Sequence, residues 1–140
     1  MDPLSIVIST LTVLEIGTKV SKGLGQVIHT WKGAPPAIYA LYNEISDLNV
    51  VLDHIDATQH ALAARGTKYD AHFVVALDDH LSQARLLLAE LQKLVLELKD
   101  LSTVKKKYKW LFRHAEVAQL QHRLRETRGR MGDLLAAYNV

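Results

Sequence analysis

Between Ile38 and Ile55 the apolar residues Ile38, Leu41, Ile45, Leu48, Leu52 and Ile55 recur three and four positions apart without exception. A strand alternates every two residues, so this spacing dictates a helix with one buried stripe. The other side of the segment carries Asn43, Glu44, Asp47, Asp53 and Asp56 and is read as a solvated acidic face. Three further segments show related spacing. The first runs to about Thr30, with Asp2 as N-cap and Pro3 at the first helical position, where a missing N–H costs nothing. Its stripe is read as Leu4, Val7, Leu11 and Leu14, continuing along Ile16, Val20, Leu24 and Val27, with Ile6, Ile8 and Val13 widening it. Such width fits a deeply inserted bundle helix or a surface that sometimes leaves the bundle. Gly17, Gly23 and Gly25 weaken this helix by up to about 1 kcal/mol each relative to alanine, so it must lean on its neighbours.

A third helix is expected to start between Asp70 and Ala76 and to bury Leu77, Leu81, Ala84, Leu88, Leu91, Val95 and Leu98, with Leu87, Leu94 and Leu101 broadening the contact. The fourth places Trp110, Val117, Leu124, Met131 and Tyr138 one heptad apart, with Leu120, Thr127 and Leu134 three residues on, as in a bundle seam. Gly129 and Gly132 predict a frayed end unless the chain continues. The joints are legible as punctuation: Gly33 with Pro35 and Pro36, then the Ala64 to Asp70 stretch with Gly66, Thr67 and Lys68, then Ser102-Thr103. Phe73-Val74-Val75 is too short for a sheet. Four helices with short joints predict an all-α four-helix bundle, approximately antiparallel, and a single domain over residues 1–140; an extended coiled coil is the competing arrangement.

Composition narrows the chemistry. There is no cysteine, which excludes disulfides, thiolate metal sites and a cysteine nucleophile, and suits a reducing compartment. Asp2 and Pro3 precede the first apolar run, so no basic signal-peptide start is read, and the eleven uncharged residues from Leu4 to Leu14 fall short of the roughly 20 needed to span a bilayer. The net charge of +2 is split: residues 1–100 hold eight Lys/Arg against twelve Asp/Glu, and residues 101–140 hold nine against three. The cluster Lys105, Lys106, Lys107 and Lys109 is a candidate surface for anionic lipid or an acidic partner, or else a solvated face. Gly23-Leu24-Gly25 lacks the spacing and preceding strand of a phosphate loop. Asp78, Asp79 and His80 splay apart on a helix, no histidine pair stands four apart on one helix, and Ser5, Ser9 and Ser21 lack a base. Long helices with a basic joint do not make a helix-turn-helix, so no nucleic acid, metal, cofactor or catalytic site is expected, and the chain is read as a non-enzyme. Trp31 and Trp110, with Tyr39 and Tyr42, serve either joint packing or an interface.

Met1-Asp2-Pro3-Leu4-Ser5-Ile6, the Lys32-Gly33-Ala34-Pro35-Pro36 joint, and Lys109-Trp110-Leu111-Phe112 followed by Glu116 and Leu120 resemble the N-terminal domains of fungal NLR-like or STAND receptors. More narrowly, the chain looks like a HeLo-like domain of fungal cell-death proteins, similar to the mixed-lineage-kinase-like executioners. The resemblance implies the N-terminal effector domain of a larger fungal receptor, a membrane-targeting cell-death execution or signalling module activated by clustering in innate immunity or heterokaryon incompatibility. It further implies self-association, anionic membrane lipids as partners on activation, a nucleotide-binding receptor or amyloid-signalling partner, and a cytoplasmic resting state that moves to the plasma membrane. Its membrane-active element would be the first helix, with Leu4, Ile6, Val7, Ile8 and Leu11 exchanging bundle contacts for the acyl boundary. A non-enzymatic protein-binding or oligomerisation adaptor is the alternative.

Overall fold

The computed structural model describes residues 3–66 and 70–138. Four helices account for nearly all of them: α1 (Pro3–Thr30), α2 (Pro36–Ala64), α3 (Ala71–Leu98) and α4 (Thr103–Tyr138). The expected N-cap Asp2 and the loop residues Thr67 and Lys68 lie outside the described residues. At the first joint Gly33 takes φ 78°, a left-handed turn that a side chain resists, and Pro35 is extended ahead of Pro36 in the first turn of α2. Asp70 caps α3 by accepting from the His72 N–H at 2.8 Å. The Ser102 carbonyl accepts from the Lys106 N–H at 2.8 Å to start α4.

α1 packs against α2 and α3, and α4 packs against the same two helices, so α1 and α4 stand diagonally across the bundle. Within each hairpin the helices are antiparallel: Gly17 meets Asn49 and Gly25 meets Tyr42, while Arg113 meets Glu97 and Tyr138 meets Phe73. Across the hairpins numbering rises together. Ala37 lies beside His114 and Val117, and Glu44 beside Arg125 and Arg128, so α2 and α4 run parallel. The expected antiparallel bundle is therefore two antiparallel hairpins laid side by side, with the 65–70 connection joining diagonal helices.

The stripes of α2 and α3 are buried as their spacing predicts. That of α1 is not. Its buried line runs through Ile6, Thr10, Val13, Gly17, Val20, Leu24, Val27 and Trp31, leaving Leu4, Ile8 and Leu11 exposed. The cause is close approach. A Cβ on Gly17 would lie 2.1 Å from Asn49 Oδ1, so the smaller-residue line lets α1 sit nearer its neighbours than the leucine line would. Thr10 is tolerated there because its hydroxyl donates to the Ile6 carbonyl at 2.9 Å.

Glu44, expected on the solvated face of α2, is only 7% exposed. α4 covers that side, and the carboxylate accepts from Arg128 Nε at 2.7 Å and from Arg125 Nε at 3.4 Å. Burying this charge is tolerable because it is paired. On α4 the heptad positions Trp110, Val117, Leu124 and Met131 are buried, with Leu120 and Thr127. Trp31 and Trp110 meet edge to face at 6.2 Å, which assigns both indoles to packing between the first joint and α4.

The end of α4 is tied down rather than frayed. The Tyr138 ring packs on Phe73 at 4.6 Å, and its hydroxyl donates to Asp70 Oδ2 at 2.8 Å. That bond, followed by the His72 N–H, holds the Asp70 carboxyl below its ordinary range, and Asp70 pushes the Tyr138 phenol up. A depressed carboxyl contributes stability above its unfolded pKa and loses it as pH falls; a raised phenol contributes below its unfolded pKa and loses it as pH rises. Tyr138→Phe should therefore lower the melting temperature most between about pH 5 and 9, with the difference closing below about pH 4 and above about pH 10. A difference independent of pH would remove the hydrogen bond from this account.

Candidate functional site

The first three turns of α4 stand beside the joint between α1 and α2. Their helix period places Val104, Tyr108, Leu111 and Phe112 along one line, at i, i+4, i+7 and i+8, on the side away from the core. All four are exposed, Phe112 to 84%. Lys105 and Lys109 border this line on one edge and Lys107 on the other, all exposed. No acidic residue occurs between Asp100 and Glu116. An outward aliphatic and aromatic ridge flanked by lysines can place its rings at a headgroup boundary while the ammonium groups reach anionic phosphates.

Lys106 does not belong to this surface. It is 2% exposed and its Nζ donates to the Leu101 carbonyl, so it closes the turn between α3 and α4 from inside. Extending the heptad back from Trp110 shows why: Lys106 and Arg113 occupy the same seam line as Leu120 and Thr127. Arg113 on that line pairs with Glu97 of α3 at 2.6 Å and with Glu116 at 2.9 Å. In the sequence the four lysines stand as one cluster and the Val104–Phe112 ridge is not singled out. The spacing that reveals it was present, but was masked by the lysines interleaved with it.

On α1 the five candidate residues divide. Ile6 is fully buried, Val7 half-buried, and Leu4, Ile8 and Leu11 form an outward line, Ile8 being 55% exposed. These three need no displacement of α1 to meet another apolar phase, whereas Ile6 does. The line turns polar at Glu15, Thr18, Lys19 and Lys22. Among the described residues α1 is the one helix long and apolar enough to cross a membrane, a property it shares with core helices of soluble proteins.

The two surfaces are not brought together. Leu11 and Thr30 are separated by about 28 Å at 1.5 Å per residue of helix, and the α4 ridge lies at the end where α1 runs into Lys32. Because α1 and α4 are diagonal, their outer faces also point in opposite directions. A flat membrane cannot meet both surfaces of the intact bundle at once. Among the described residues no three His, Asp or Glu side chains stand together as a metal site. Comparisons with protein-family models, curated proteins and solved structures find no match to this chain.

Proposed function

We propose that the domain is a membrane-targeting effector module, non-enzymatic, that docks on anionic membrane through the Val104–Phe112 ridge and its flanking lysines. The observation that carries this reading is that ridge: four apolar side chains turned outward inside the most basic stretch of the chain. The resemblance to HeLo-like domains supplies the context, cell-death execution or signalling, with the protein cytoplasmic at rest and at the plasma membrane when clustered by itself or by a receptor or amyloid partner.

The opposed surfaces support a two-step order. Docking by α4 leaves the Leu4–Ile8–Leu11 line facing away, so α1 reaches the same bilayer only after leaving its place or after a second copy presents it. A lone α1 crossing the bilayer would carry Glu15, Lys19 and Lys22, and a charge near the bilayer centre costs about 2.5–3.5 kcal/mol on insertion scales. Clustering offsets this by sheltering those charges from lipid.

Vesicle co-sedimentation and dye release measured together test the reading. Anionic vesicles should bind the protein and leak, and zwitterionic ones should not. Ile8→Gln with Leu11→Gln should leave binding and melting temperature intact and cut leakage several-fold. Binding without leakage in the unaltered protein would favour the adaptor alternative, and absence of binding at low salt would reject the membrane reading.

A further inference from the structure

The ridge of α4 forms one wall of a groove of about 870 Å³, a volume in the range of small-molecule sites. Trp31 and Trp110 line it although each is nearly buried, while Pro35, Val104 and Leu111 supply aliphatic surface. Two ammonium groups line it, Lys32 from the first joint and Lys107 from α4, and none of its lining residues is acidic. Gly33, with its left-handed backbone, turns the chain along the groove's side.

We propose that this groove binds one anionic amphiphile, a lipid whose acyl chain lies along Trp31, Trp110 and Leu111 and whose acidic headgroup pairs with Lys32 and Lys107. Charge complementarity selects an anion, and the apolar walls select one carrying a hydrocarbon chain over a free phosphate. Continuity selects the source. Val104, Tyr108 and Leu111 belong both to the groove and to the ridge, so a lipid drawn from a docked membrane meets one continuous apolar edge on its way in. The proposal rests on the membrane reading only for that source; the binding itself requires no vesicle.

The two tryptophans are the only ones in the chain and both line the groove, so intrinsic fluorescence reports directly on its occupancy. Dodecyl phosphate titrated below its micelle concentration should change the emission saturably. Inorganic phosphate should not, and dodecylphosphocholine should bind at least several-fold more weakly. Each lysine beside an anionic group is worth about 1 kcal/mol, about fivefold in affinity, so Lys32→Gln with Lys107→Gln should weaken binding roughly 30-fold. Val104→Gln with Leu111→Gln should also weaken it while leaving the charge unchanged. Lys105→Gln, on the far flank of the ridge, should leave the affinity as it was. An absent or unsaturable response, an equal response to inorganic phosphate, or an equal loss with Lys105→Gln and the groove lysines would overturn the proposal. The substituted side chains are exposed, and an unchanged far-UV spectrum verifies the fold of each variant. Failure here leaves vesicle docking untouched, and failure of vesicle docking leaves this titration unchanged, so the two readings fall separately.

Discussion

Leu48→Asp in α2 and Leu91→Asp in α3 should each leave the protein largely unfolded at 25 °C. Leu48 is fully buried and Leu91 is 1% exposed. Removing a buried leucine side chain costs about 2–5 kcal/mol in lost burial and residual cavity. The aspartate adds the cost of an ionised carboxylate without a partner, several kcal/mol more unless it protonates. The sum rivals the whole stability of a domain, about 5–15 kcal/mol. Leu86→Asp is the control: Leu86 lies on the same helix as Leu91 but faces solvent, so the same chemistry there should change stability by no more than about 0.5 kcal/mol. Far-UV circular dichroism with thermal melts separates the cases. Retention of helicity and melting temperature by both core variants would refute the assignment of these stripes to the core.

Replacing Lys105, Lys107 and Lys109 together by Gln should lower affinity for anionic vesicles by roughly two orders of magnitude at low salt, at about 1 kcal/mol per charge near the surface. The difference should shrink as ionic strength rises and the Debye length falls below about 10 Å. Lys106→Met makes the contrast. Its ammonium is inside the turn, so the substitution should leave vesicle binding unchanged while keeping the apolar stem packed. Replacing a buried charge by an apolar side chain of similar shape is often neutral or stabilising, although the Leu101 carbonyl loses its donor. Equal loss of binding with Lys106→Met and with the triple substitution would place all four lysines on one surface and contradict the seam position of Lys106. Co-sedimentation at two salt concentrations reads both outcomes.

Helix number, joints and the stripes of α2 and α3 were fixed by local chemistry. Apolar residues at three-and-four spacing leave one way to hide from water, and Gly33-Ala34-Pro35-Pro36 leaves one place to turn. Where a segment offered a single apolar line, that line was legible and is buried. Segment α1 offered two, and composition favours the one with Leu4, Leu11 and Leu14. Only the neighbours decided otherwise: Gly17 admits Asn49 of α2 and Gly23 admits Val95 of α3 at close range, and a sequence carries no record of which helix will press on which side. The same holds for Glu44, whose burial depends on Arg125 and Arg128 arriving from a helix more than eighty residues away. For Lys106 the heptad already marked a seam position, and its charge concealed it. What the sequence by itself determined, then, is a bundle of four helices and the places where it turns. The tertiary structure decided which faces remain outside, because packing is a relation between surfaces and no single helix contains it. On those outside faces, the Val104–Phe112 ridge with its adjoining groove and the Leu4–Ile8–Leu11 line, rests the proposed work of the protein.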